Sequence, residues 1–473
     1  MPCRAVLGGL AGALRRRSGP HTPGAAALPS LFPSLPLLLE VAMTAADTTP
    51  ARKPVPGRSA AGDGPGARAW IVTGLLVVFM MVNFADKAVL GLAADEIRAD
   101  LGLSATDFGL ANSAFFLLFS VAAVVVGMLA DRVSLKWLLL LMAALWSVAQ
   151  VPAALGGGLA VLVGTRILLG AAEGPAFPVA QQAALSWFPD HRRNLPGALV
   201  TLGITLGVIT AAPGLTWVID RHGWRAALWV LAVVGAVWAV VWAVFGADGD
   251  HREKATAASV RVPWRAYRRV LGSRTWLGTT LAYFTSYWSV ALMLVWLPSY
   301  LTNGLGHSSA ASGTLVAVPW AIGAVALLAQ AAVTGRLMRR GVPSRWARGR
   351  VGAALLLLGG LCFLAVPLAE GAGAKTALVV AGFGISGSFA TVAVTTVAEL
   401  APAALRGGSL GIMNALVTTA GLIAPAVVGA MIDAQGPAGY QNATLVSAAL
   451  LLAGALAAAT LIDPSRDAHR AGA

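Results

Sequence analysis

The sequence predicts an all-α integral membrane protein, with twelve transmembrane helices arranged as two six-helix bundles. Three observations point there. Charged residues make up 11% of the 473-residue chain against 57% hydrophobic ones, whereas a soluble domain carries about 25% charge. Apolar runs of roughly 20 residues, enough to cross a ~30 Å hydrocarbon core, recur from Trp70 to Ile462. Basic residues between the runs fall mainly on alternate loops, as a polytopic topology requires. Helices are the expected spans because lipid offers no partner to an open backbone. A net charge of +14 suits nucleic acid when it gathers on one face. Here it is sorted into short interhelical blocks, which speaks for membrane topology and against a nucleic-acid partner.

Residues 1–69 are rich in Pro, Gly, Ala and Arg and show no sustained period. The apolar run from Leu31 to Val41 is too short to span and is interrupted by Pro33 and Pro36. Arg15, Arg16 and Arg17 do not directly precede an apolar core, so a cleaved signal peptide is not expected. The segment reads as a disordered basic leader, with the native start expected at Met43. The first bundle, 70–246, holds spans expected at Trp70 to Leu92, Phe108 to Leu129, Leu135 to Leu155, Gly158 to Ala180, Pro196 to Ile219 and Trp224 to Phe245. A basic central loop follows at 247–275. The second bundle, 276–462, holds spans at Trp276 to Leu301, Gly313 to Leu337, Val351 to Leu368, Thr376 to Val397, Ser409 to Ile432 and Gln441 to Ile462, before a tail at 463–473.

Orientation follows from Lys and Arg. One side carries Arg132, Lys136, Arg192, Arg193, the central-loop cluster, and Arg336, Arg339, Arg340, Arg345, Arg348 and Arg350; the opposite loops hold Arg98, Arg221, Arg225 and Lys375. The bias places both termini and the central loop in the cytoplasm of a cell-membrane protein. A weak internal repeat agrees with the duplication: residues 127–132 and 335–340 both fit Gly-x-Leu-x-x-Arg, each after the second span of its half.

Charged groups inside a span cost about 2.5 to 3.5 kcal/mol each on insertion scales. Asp86 and Lys87 lie in the first span, Arg166 and Glu173 in the fourth. Arg166 and Glu173 are seven residues apart, two turns on nearly one face, about 10 Å along the axis. Asn83 lies one turn before Asp86 and Lys87. Two readings follow. In one, Asp86 neutralises Arg166 and Glu173 neutralises Lys87, and the set only fastens the bundle. In the other, the set couples transport. A carboxylate in a poorly hydrated cavity favours its proton and a nearby cation opposes it. An anion that binds Arg166 or Lys87 cancels that cation, so proton and anion each favour binding of the other.

Other residues carry weaker signals. Gly174, Pro175 and Pro178 should break or bend the fourth helix beside Glu173. Gly203 and Gly207 suit close helix packing. Tyr283, Tyr287 and Trp288 offer a cavity contact or core packing; Ser386, Ser388, Thr391 and Asn414 offer ligand contacts or bonds to their own helix backbone. The cysteines, Cys3 and Cys362, give no disulfide framework, and the six histidines fall in or near loops. No bound cofactor, metal site or nucleophile–base set is implied, so an enzyme is not expected.

Residues 127–136, Gly127-Met128-Leu129-Ala130-Asp131-Arg132-Val133-Ser134-Leu135-Lys136, resemble the loop signature of the major facilitator superfamily, Gly-x-Leu-Ala-Asp-Arg-x-Gly-Arg-Lys, departing from it at Ser134 and Leu135. Arg166 to Glu173 with Gly174, Pro175 and Pro178, the Trp187-Phe188-Pro189 run with Arg192 and Arg193, Gly223-Trp224-Arg225, and Asn83 to Lys87 are similar to the family's anion:cation symporter branch, which carries sialic acid, sugar acids, phthalate and other organic anions. The resemblance covers nearly everything after Trp70. It implies the major facilitator fold, proton-coupling sites at Asp86 and Glu173, and a substrate carboxylate on Arg166. It also implies a gating latch at Gly127, Asp131, Arg132 and Lys136, and polar substrate contacts near Ser386, Thr391 and Asn414. Relatives usually carry Arg after the first-span acid. Lys87 supplies the charge without the planar bidentate grip.

The expected function is import of a small organic carboxylate (sugar acid, aromatic acid or dicarboxylate) by proton-coupled symport with alternating access, in a monomer that meets protons, an organic anion and the lipid bilayer. Asn83, Tyr283 and Tyr287 are further candidate substrate contacts. An efflux or exchange carrier of the same fold is the alternative, and a transport-inactive membrane sensor is the alternative from another class.

Overall fold

The computed structural model describes residues 66–130, 133–189, 192–249 and 264–471. The leader up to residue 65 with the expected start at Met43, the Asp131 and Arg132 of the loop motif, and residues 250–263 of the central loop lie outside the described residues.

Among the described residues the regular elements are all helical. The spans of the first half are α1 (Ala67–Leu92), α2 (Ala105–Ala130), α3 (Leu135–Leu155), α4 (Leu159–Leu185), α5 (Asn194–His222) and α6 (Trp224–Phe245). Those of the second are α7 (Arg274–Val295, continuing as Leu297–Gly304), α8 (Ser309–Arg339), α9 (Arg345–Leu368), α10 (Gly371–Leu400), α11 (Ala403–Gln435) and α12 (Pro437–Leu461). Eleven are long and apolar enough to cross a membrane, and the bent α7 makes a twelfth.

Local chemistry explains the differences from the expected spans. Ser104 and Asp107 bond each other's backbone N–H at the start of α2. This capping box starts the helix at Ala105 rather than Phe108. The seventh span was expected to run to Leu301; instead it turns by 63° after Val295, where Pro298 has no N–H to continue the ladder. α4 consists of Leu159–Glu173 and Ala176–Leu185, so the break falls at Gly174 and Pro175, as expected. α10 likewise divides at Ser388 into Gly371–Gly387 and Phe389–Leu400.

The duplication is visible in helix pairing. In the first half α1 packs on α5, α2 on α4 and α3 on α6; in the second α7 packs on α11, α8 on α10 and α9 on α12. Each pair recurs with its number raised by six. Across the halves α2 meets α11 and α5 meets α8, which the same operation exchanges. Glycines permit the closest approaches. A Cβ added at Gly203 or Gly207 would strike the α1 backbone at Val77 or Met81, and one at Gly170 or Gly174 would strike the α2 carbonyls of Phe115 and Phe119. The second pair draws the charged helix α4 against an aromatic row on α2.

Hydrogen bonds between the halves cluster at one end. Asp433, ending α11, accepts from Ala105 N (2.8 Å), Thr106 N (2.7 Å) and Thr106 Oγ1 (2.6 Å). It thus caps the N-terminus of α2 from the other half, where a carboxylate meets the helix dipole favourably. Asp95 accepts from Ser299, Thr302 and Asn303, and Asp220 from Ser309. One turn deeper than the Asp433 cap, Gly109 lies against the α11 backbone at Pro425; farther along, the Ser120 and Thr418 hydroxyls bond each other.

Candidate functional site

The four charged span residues meet in the first half. Asn83 and Lys87 are one turn apart on α1, so the Lys87 amine reaches Asn83 Oδ1 at 2.5 Å. The same amine pairs with Glu173 Oε2 of α4 at 2.5 Å. Asp86, facing α3, accepts a hydrogen bond from the Gln150 amide. Asn83, Asp86, Arg166 and Glu173 are each no more than 4% exposed.

Arg166 differs from its neighbours. Among the described residues it has no carboxylate within 4.0 Å, and its buried Nε donor has no partner. Asp86 and Glu173 are close enough to act on it electrostatically, but neither pairs with it. The internal-pairing reading is therefore met at Glu173 and Lys87 and not at Asp86 and Arg166. A buried guanidinium left in this condition is costly unless a ligand completes it.

Around the Lys87 amine stand Phe84 of α1 and Phe115 and Phe119 of α2, with ring centroids at 4.8, 5.7 and 5.9 Å, a cation–π environment. The rings continue across the halves: Phe84 meets Trp320 of α8 edge-on at 5.6 Å, and Phe116 meets Tyr287 of α7 at 6.0 Å. Tyr287 in turn meets Tyr283 at 6.4 Å. Both tyrosines are half-buried. Their neighbour Trp288 is buried and bonds Ser447 of α12, so it packs the second half.

The remaining second-half candidates are spread out. Ser386 is fully buried against Gly359 of α9, with its hydroxyl on the Phe383 carbonyl, which leaves no surface for a ligand in this conformation. Thr391 and Asn414 are half-buried, and each accepts at its carbonyl from a threonine one turn on. In the loop motif Gly127 lies in the last turn of α2; the Lys136 backbone N–H bonds Asp248 at 2.9 Å and its carbonyl accepts from Trp242 Nε1. Asp131 and Arg132 are outside the described residues.

Gln150 and the phenylalanine row were missed by sequence reasoning. Gln150 did leave a signal, a lone amide in the apolar third span. The phenylalanines left none, since a ring in a span is ordinary packing until its neighbour is known to be an ammonium.

Comparison with known proteins agrees with this arrangement. The sequence profile of the Major Facilitator Superfamily matches residues 75–395. The probable sulfoacetate transporter of Cupriavidus necator is 30% identical over 82% of this chain and 92% of its own length. The D-galactonate transporter of Escherichia coli is 26% identical over 86% of this chain and 98% of its own length, and the hexuronate transporter of Bacillus subtilis is 26% identical over 82% and 94%. Among solved structures, a bacterial homologue of the human lysosomal transporter Spinster has a TM-score of 0.71 at 16% identity, covering 85% of this chain and 99% of that one. A D-xylose–proton symporter gives 0.68 at 15%, covering 84% and 99%. The two structures share the fold alone.

Proposed function

The chain belongs to the Major Facilitator Superfamily, a family of transporters rather than enzymes, and we propose that it imports a small organic carboxylate together with protons by alternating access. The observation that carries this reading is Arg166, a buried cation with a free donor beside two carboxylates that have other partners. Sulfoacetate, D-galactonate and hexuronate, for which those relatives are named, are all organic anions, which supports a carboxylate or its sulfonate analogue as the ligand.

The charge set supplies the coupling. With Glu173 ionised, Lys87 is compensated and only Arg166 attracts an anion. A proton on Glu173 releases the Lys87 charge, and the field at Arg166 becomes more favourable to the substrate. Proton and anion therefore bind with mutual gain, by linkage. Asp86, held by Gln150, is the second proton site. Asn83 fixes the Lys87 amine, and Tyr283, Tyr287, Thr391 and Asn414 face the substrate from the other half.

The bias of the basic loops supports an outer position for the end held by Asp95, Asp220 and Asp433, with both termini cytoplasmic in a plasma-membrane protein. The cross-half bonds then close the outer end. Transport requires those bonds to part as the two halves rock about the charge set. Gly127, Asp131, Arg132 and Lys136 form the latch at the inner end, and a monomer suffices.

Counterflow in proteoliposomes with a panel of organic anions tests the assignment. Arg166→Ala should cut exchange about 10- to 100-fold, the worth of a charge-assisted contact of ~1.5 to 3 kcal/mol. Undiminished anion exchange by that variant would discard the role.

A further inference from the structure

We propose that the substrate is an aryl monocarboxylate, its ring seated between aromatic walls contributed by the two halves and its carboxylate on Arg166. The proposal rests on the organic-anion reading above and narrows it.

The first observation is the continuity of the rings. Phe84, Phe116 and Phe119 come from the first half; Trp320, Tyr283 and Tyr287 come from the second. They meet across the halves edge-on, at 5.6 Å between Phe84 and Trp320 and 6.0 Å between Phe116 and Tyr287. All six are half-buried rather than packed away. Edge-to-face and offset arrangements at these separations are the ones aromatic groups prefer. A substrate ring entering when the halves part meets faces and edges from both sides.

The second observation is what the neighbouring hydroxyls do. Ser286 donates to the Ser386 carbonyl, Ser386 to Phe383, Ser388 to Ile385 and Thr285 to Ala282, while Ser120 and Thr418 bond each other. These groups are satisfied inside the protein. A sugar acid carries a hydroxyl on nearly every carbon, and each must find partners when it leaves water. Tyr283, Tyr287, Thr391, Asn414 and the unpartnered Asn83 amide offer about one group to each hydroxyl, where each hydroxyl both donates and accepts. A ring asks for none.

The third observation concerns charge. Lys87 is already occupied, paired with Glu173 and boxed by Phe84, Phe115 and Phe119, whose faces stabilise the ammonium. Directional contact is left to Arg166. One guanidinium with a free donor matches one carboxylate, and a dicarboxylate would bring its second charge against the rings.

The test is titration of the purified full-length protein with benzoate, D-galactonate, succinate and sulfoacetate, read by calorimetry. Benzoate should bind at least tenfold more tightly than D-galactonate or succinate. Phe116→Leu, which keeps an apolar side chain, should weaken benzoate about fivefold and leave D-galactonate within twofold, with an unchanged thermal midpoint as the check on folding. Arg166→Ala should weaken benzoate binding about 10- to 100-fold. Tighter binding of D-galactonate, succinate or sulfoacetate, lost in Arg166→Ala, would overturn the aryl assignment and leave the organic-anion reading intact. No binding of any of the four acids would overturn both.

Discussion

The two six-helix bundles share one pairing pattern and divide the chemistry between them. Among the described residues, the buried charged side chains within the spans are Asp86, Arg166 and Glu173, all in the first half. The second half brings Trp320 and Tyr287 against first-half rings, and the hydroxyls of Ser286, Ser386 and Ser388 turn onto its own backbone. The difference teaches where sensing and moving belong. Ion pairs hold fixed geometry and respond to a proton. A neutral aromatic face loses little when it slides, because dispersion between rings is non-directional compared with a buried hydrogen bond.

The largest effect should come from removing the proton response on the charged side. Glu173→Gln frees Lys87 permanently. Accumulation of substrate driven by a pH gradient should fall to the equilibrium level, while exchange of anion for anion continues. Uptake assays in proteoliposomes with and without the gradient separate the two, and persistent gradient-driven accumulation would assign coupling to Asp86 alone.

A second test breaks the contact between the halves instead. Asp433→Asn removes the carboxylate that caps α2 from α11, which should favour opening of that end by about 1 kcal/mol. Spin labels at Leu103 and Gln435 should then report a larger population of long distances. An unchanged distribution would mean that Asp95 and Asp220 hold the end closed without it.

A smaller effect is expected where the second half fastens its own tail. Asp467 accepts from Thr275 N at 2.9 Å and Thr275 Oγ1 at 2.8 Å. Burial works to raise its proton affinity, but the bonds from Arg466 and Thr275 outweigh that and hold the carboxyl at about 2. A depressed folded-state value contributes stability above the unfolded value of about 3.9, which is lost as pH falls toward 2. Asp467→Asn should therefore destabilise the protein modestly at pH 7, with the difference from the parent closing below about pH 3. Equilibrium unfolding in detergent at pH 7 and at low pH measures it, and a gap that persists at low pH would show that the carboxylate's charge is not the cause.

The smallest effect should follow Ser386→Ala. The lost hydroxyl serves the Phe383 carbonyl, so transport should remain within twofold and stability within roughly 0.5 kcal/mol. A large loss of transport would place Ser386 in the path of the substrate after all.

Much of the fold was legible because lipid leaves so few choices. Span length, the loop charges and the Gly174-Pro175 break follow from local physics, and each could be read along the chain. The α7 bend was missed although Pro298 marks it, since an apolar run reads as one span whether straight or turned. At the site, Asp86, Lys87, Arg166 and Glu173 were evident because a charge in hydrocarbon always needs a reason. Their partners were legible in part: the internal-pairing reading gave Lys87 to Glu173, which the structure shows, and Asp86 to Arg166, where the structure gives Asp86 to Gln150. The Gly170 and Gly174 approach to α2 fixes where α4 places Glu173.

The sequence by itself determined the solvent, the number of crossings, the duplication and the four charges that must be accommodated, since each depends on composition or on spacing within one helix. Tertiary structure decided between the two acids for Lys87, giving it Glu173, set Gln150 on Asp86, and left the Arg166 Nε without a partner among the described residues. It also decided that Phe84, beside Lys87, meets Trp320 of the other half and that Phe116 meets Tyr287. The reason is physical: hydrogen bonds and ring contacts act over a few ångströms, between residues as far as 328 positions apart in the case of Ala105 and Asp433, and nothing local in the chain records that distance.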